Sequence, residues 1–139
     1  MPLHSRILRI YKRYPISLFI IVIILYLSLG NISCGDDLTK IKYIDKIAHF
    51  CMYAGFSSVL WFEYYISHTV NNRLKLFFGA VIAPILFSAA MEIAQTTLTD
   101  NRNADWYDLL FNILGTLFAA ILGMFVIKPI AERFKRSRK

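Results

Sequence analysis

The sequence predicts an all-α membrane protein, a bundle of four transmembrane helices with both termini in the cytoplasm. Three observations predict it. Of the 139 residues, 57% are hydrophobic and only 18% charged, which is more apolar surface than a soluble domain of this length can hide. The apolar residues fall in four blocks of about twenty, and such a helix crosses about 30 Å of hydrocarbon at about 1.5 Å per residue. The basic residues divide unevenly between the segments that join those blocks. Residues 1–139 leave room for a single membrane domain.

The first span is expected over about 15–33, where SLFIIVIILYLSLG carries no charge, so that its backbone closes its own hydrogen bonds in lipid. The second is expected over 45–66 and ends in Trp61, Phe62, Tyr64 and Tyr65, rings that favour the headgroup boundary. The third runs over 74–98 with Pro84 near its middle, where the missing backbone donor should produce a kink unless a neighbouring helix fills the gap. The fourth runs over 106–127 and should close at Pro129.

Arg6, Arg9, Lys12 and Arg13 precede the first span, Arg73 and Lys75 join the second to the third, and six more basic residues follow the fourth. These twelve share one side, against Lys40, Lys42, Lys46 and Arg102 on the other. Positive charge stays inside, so both termini and the Arg73 loop are expected in the cytoplasm of a bacterial plasma membrane protein. The net charge of +7 is explained by this flanking pattern rather than by a nucleic-acid footprint, and no nucleic-acid partner is expected. Ser33, Cys34 and Gly35 invite a lipoprotein signal, but the apolar run is long enough to span and Asn31 stands where such a signal carries Leu, which favours an uncleaved helix. Cys34 and Cys51 have no metal-ligand spacing, and no disulfide is expected from them. Cys51 reads as a small packed group, and His4 and His68 as solvated flanks. Glu63 should reach the inner interface, and the basic tail should rest on anionic lipid.

Acidic residues gather on the opposite side: Asp36, Asp37, Asp45, Glu92, Asp100, Asp105 and Asp108, leaving only Glu63 and Glu132 inside. Residues three or four apart share a helix face. Asp45, His49 and Tyr53 form one stripe, Glu92 and Gln95 a second, and Asp105, Asp108 and Asn112 a third. Gly115, Ala119 and Gly123 continue the last face in steps of four, as a seam for close helix packing. The three stripes end at one membrane level. Glu92 is expected about 9 Å below the outer end of its helix, where an ionised carboxylate requires a partner or a proton. Lys46, His49 and Arg102 are the cations within reach, with Gln95 and Tyr53 as neutral donors.

Read together, Asp45-Lys46-x-x-His49-Phe50-x-x-Tyr53, Glu92-x-x-Gln95 and Arg102-x-x-Asp105-x-x-Asp108-x-x-x-Asn112-x-x-Gly115 resemble the VanZ-like family of small bacterial membrane proteins over roughly residues 41–123. The resemblance implies a cell-envelope protein related to the one named for teicoplanin resistance. It implies no reaction, because function lives in the site rather than the fold.

Several readings of the polar residues stay open. They could clamp helix ends together, or form a functional site, the default for ionisable groups inside spans. An enzyme acting on a lipid-linked or phosphate-bearing substrate would hold phosphate with Arg102 and Lys46 while His49 or Glu92 moves a proton. A non-catalytic binder would capture a cell-wall precursor, an envelope lipid or a glycopeptide. A small transporter is disfavoured by the off-centre position of Glu92. A metal held by His49, Asp45, Glu92 and Asp108 is conceivable, yet one histidine without a paired-histidine spacing is a poor zinc signature, and no metal site is assigned. No cofactor is specified by these residues.

Overall fold

The computed structural model describes residues 3–29, 43–69, 72–98 and 105–138, and every regular element among them is helical. We number five helices: α1, Leu3–Arg13; α2, Pro15–Leu29; α3, Ile44–Ser67; α4, Arg73–Leu98; and α5, Trp106–Ser137. α4 and α5 are long and apolar enough to cross a membrane, and the bent pair α1 and α2 adds a third crossing if it is counted as one span. α3 is long but does not reach that apolarity, because His49, Tyr53, Glu63 and its serines dilute its hydropathy. Of these, His49, Tyr53, Ser57 and Glu63 are buried, whereas Phe19, Val22, Leu86, Ile93, Leu117 and Phe125 face outward. Polar groups inside and large apolar groups outside suit a chain solvated by lipid.

Contacts between elements give their directions. Ser17 of α2 meets Glu63 of α3, while Ser28 at the other end of α2 meets Gln95 of α4. α3 and α5 run side by side in the same direction, since Lys46 meets Asp108 near the start of both and Trp61 lies against Gly123 further along. α4 runs against them, with Ser57 opposite Ala80 and Ser88 opposite Asn112. α3 is thus the central element, in contact with every other helix and most closely with α5. A Cβ on Gly115 would collide with the Phe50 carbonyl oxygen, and one on Gly123 with the Trp61 ring. Ala119 between them is fully buried.

Both long helices contain a widened π turn, Phe78–Ile82 in α4 and Gly123–Ile127 in α5. Each ends two residues before a proline, Pro84 and Pro129. Proline has no N–H and its ring presses on the carbonyl four residues earlier, so a wider turn at that point relieves the clash. For Pro84 that carbonyl belongs to Ala80, and the Ser57 hydroxyl of α3 donates to it, so a neighbouring helix supplies the missing donor. The same device corrects the expected stop at Pro129: the helix continues to Ser137. Its last turns stay packed against the end of α3, with Ala131 fully buried, Phe134 against Phe62 and the Lys135 ammonium on the His68 carbonyl.

At the Glu63 end the chain departs from a simple anchor. α1 and α2 meet at a 93° bend, which makes α1 a separate helix bearing Arg9, Lys12 and Arg13. Pro15 opens α2 with the φ that a first helical turn needs, and the Glu63 carboxylate accepts from the Ile16 N–H at 2.8 Å, the Ser17 N–H at 3.1 Å and the Ser17 hydroxyl at 2.6 Å. A side chain from another helix therefore satisfies amides that a helix start leaves open. Glu63 is 1% exposed and does not reach the interface as expected. His68 is not a solvated flank either. It stacks on Tyr64 at 4.3 Å and meets the Arg13 guanidinium at 3.0 Å. Cys51, expected to be packed, is exposed on the outside of α3.

Candidate functional site

At the opposite end, α3 starts at Tyr43, whose φ of 70° lies in the left-handed region that bulky residues rarely occupy. Asp45, Lys46 and His49 follow within the first two turns. α5 starts at Asp105, whose carboxylate caps the helix by accepting from the Tyr107 N–H at 2.8 Å. The same residue takes an ion pair from Lys46, and Lys46 also pairs with Asp108 Oδ1. The Lys46 ammonium, foremost, and the Tyr107 amide hold the Asp105 carboxyl below the usual carboxylate range. Lys46 thus fastens the starts of α3 and α5 together.

One turn deeper, His49 Nδ1 lies 3.1 Å from Asn112 Oδ1, and Asn112 Nδ2 donates to the Ser88 hydroxyl at 2.8 Å. With its amide nitrogen spent on Ser88, Asn112 presents its oxygen to the ring, so Nδ1 carries the proton in the neutral imidazole. Nε2 then turns toward two carboxylates, Asp108 Oδ2 at 3.7 Å and Asp45 Oδ1 at 3.9 Å. Both distances exceed a hydrogen bond. His49, Asp108 and Asn112 are buried, while the Asp45 side chain is 53% exposed, so the cluster is rooted in the protein and open on one side.

Of the residues singled out in the sequence, Asp45, Lys46, His49, Asp105, Asp108 and Asn112 lie together in this cluster. Tyr53 and Glu92 are buried beside it, with the Tyr53 hydroxyl facing Ser88 and the Glu92 carboxylate but lacking a hydrogen bond of good geometry. Gln95 is directed elsewhere and donates to the Ser28 carbonyl of α2 at 3.1 Å. Arg102 lies outside the described residues, as do Cys34, Lys40, Lys42 and the acids at 36, 37 and 100. Lys46 and His49 both converge on Asp108. Lys46 is engaged by two carboxylates rather than held open for a phosphate. Sequence reasoning missed Ser88, which fixes Asn112. Its place four residues before Glu92 on the same face of α4 was the available signal. A cavity of about 510 Å³ lies near the other end, against Tyr14, Leu18, Leu60, Tyr64 and Leu76. Its walls are mostly apolar, with Ser17, His68 and Lys75 among them.

The family described as VanZ/LLP1 matches residues 4–128. The chain belongs to that family. The match takes in α1 and α2, so the family's extent is wider than the motif-bearing stretch of residues 41–123. No curated protein and no solved structure matches the chain.

Proposed function

We propose that this VanZ/LLP1 protein spans the bacterial plasma membrane four times, keeps both termini and the Arg73 loop in the cytoplasm, and uses the Asp45–His49–Asp108 end as an outward-facing site. There it engages a cell-envelope molecule, a cell-wall precursor or envelope lipid, and thereby alters tolerance to glycopeptides of the teicoplanin type. The observation that carries this reading is the buried His49 held by Asn112, with Nε2 turned into a half-open group of carboxylates. Ionisable groups within spans are costly and generally serve function. The orientation is supported by the basic residues Arg13, Arg73, Lys75 and Lys135, which lie at the other end, as the positive-inside rule requires.

The test has two parts. Reporter fusions should give cytoplasmic activity at both termini, and alkaline phosphatase activity at the carboxyl terminus would overturn the topology. In a sensitive host where the wild-type chain confers glycopeptide tolerance, His49→Gln should insert and accumulate normally but confer none. Retained tolerance would count against the site. A second reading, an enzyme acting on a lipid-linked substrate, is favoured by the fixed tautomer of His49 beside Asp108, an arrangement suited to taking up a proton. Native mass spectrometry of wild type against Arg102→Ala would reveal whether a phosphate-bearing lipid is retained.

A further inference from the structure

We propose that Asp45, His49 and Asp108 form a binding site for one divalent transition-metal ion, Zn²⁺ or Mn²⁺, with a coordination position left open toward the exposed side. The inference deepens the reading of this end as the functional site and rests on it for the purpose of the ion, though not for its binding.

Asp45 and His49 are four residues apart on α3 and project from one face. Asp108 comes from the first turn of α5, brought beside them by the parallel contact at Gly115. One ligand atom from each of the three lies within 4.8 Å of the others. The Nε2 distances of 3.7 and 3.9 Å to the two carboxylate oxygens are close to what a metal demands. Ligands about 2.1 Å from a tetrahedral ion sit about 3.4 Å apart, so the two edges at His49 close by a few tenths of an ångström, while the edge between the two carboxylates, within 4.8 Å, closes by about 1 Å or more. Side-chain rotation of the half-exposed Asp45 suffices for its share.

The surroundings fit as well as the distances. A ligating histidine characteristically donates its other ring N–H to an oxygen that fixes its tautomer, and Asn112 Oδ1, itself oriented by Ser88, is that oxygen. His49 is 6% exposed, and among the described residues its Nε2 is nearest to the two carboxylates, beyond hydrogen-bond length. Its lone pair points at carboxylates, an arrangement that a cation between them relieves. Lys46 does not fill that place, because its ammonium binds Asp105 and Asp108 Oδ1 and leaves Asp108 Oδ2 facing His49. It orients the bridging carboxylate. One imidazole with two carboxylates suits Zn²⁺ and Mn²⁺ better than soft, thiolate-preferring ions, and three protein ligands leave room for water or an oxygen of the bound envelope molecule.

Full-length protein in mild detergent, stripped with chelator, should be titrated with Mn²⁺ followed by electron paramagnetic resonance and with Zn²⁺ against a chromogenic chelator. One ion per chain is expected. Affinity should fall at least tenfold in His49→Gln, and as much in Asp45→Asn, whose side chain is 53% exposed; circular dichroism confirms the fold of each. Asn112→Ala should weaken binding by about 10-fold through the tautomer alone. No binding by either metal, or equal affinity in wild type and in Asp45→Asn, overturns the proposal. In that case loss of tolerance in His49→Gln would still stand for the site without an ion. Bound metal together with tolerance unchanged in His49→Gln would instead keep the ion and remove the function.

Discussion

At the Glu63 end a carboxylate that is 1% exposed meets, among the described residues, two backbone amides and one hydroxyl, all donors. At the Asp108 end a carboxylate of similar burial shares one ammonium with Asp105 and turns its second oxygen to a histidine that lies beyond hydrogen-bonding distance. Both are buried ionisable groups in spans, although the sequence alone assigns Glu63 to the inner interface and Asp108 to a polar stripe. The difference lies in satisfaction. Glu63 closes the start of α2, and its oxygens are spent on the fold. The Asp108 cluster keeps one side exposed and, among the described residues, one imidazole nitrogen facing carboxylates beyond hydrogen-bond length, which is how a group available for binding differs from one that holds structure.

The comparison breaks most decisively at Glu63. Glu63→Ala strands the Ile16 and Ser17 amides in a dry interior, and the loss should reach about 3 kcal/mol or more, since each unsatisfied buried donor costs about 1–3 kcal/mol. Thermal unfolding in detergent and accumulation in the membrane would both register it. Glycopeptide tolerance should fall only in step with protein amount. Next in size is Gly115→Val, whose added atoms meet the Phe50 carbonyl. Overpacking of this kind costs about 1–3 kcal/mol. It also spreads α3 from α5, so cysteine crosslinking between positions 49 and 108 should weaken along with stability.

Asp108→Asn should invert that pattern, keeping shape and most of the stability while tolerance drops to the level of the empty host. An unfolding temperature depressed as far as in Glu63→Ala would return Asp108 to a structural role. The smallest effect expected is on acidification. Because the folded Asp105 carboxyl is held below its usual range, its stabilising contribution is present above the unfolded value near pH 3.9 and is lost as pH falls through the lower folded value. Stability should therefore decline below about pH 4, and Asp105→Asn, which keeps an oxygen for the helix cap, should lack that component of the decline.

Much of this arrangement was legible in residue order. The blocks of apolar residues marked α2, α4 and α5, and the i, i+4 spacings put Asp45 with His49 and Asp108 with Asn112 before any contact was known. The four-residue steps of Gly115, Ala119 and Gly123 pointed to the face on which α5 meets α3. Local periodicity suffices for such statements because a helix sets its own faces. What periodicity could not reveal were partners far apart in the chain. Glu63 as the cap of α2, Ser57 as the donor that Pro84 lacks, Ser88 behind Asn112 and His68 between Arg13 and Tyr64 each join elements whose sequence separation carries no signal.

Sequence by itself determined that the chain belongs in a membrane and which residues share a helix face, since composition and a 3.6-residue repeat are properties of the chain alone. Only the tertiary structure decided which faces meet. Packing α3 parallel to α5 brought Lys46 and His49 onto Asp108, engaged Lys46 with carboxylates, and turned one nitrogen of His49 toward Asp45 and Asp108. The physical reason is that in a lipid-solvated chain each buried polar group must find its partner within the protein, and geometry between helices settles which partner is within reach.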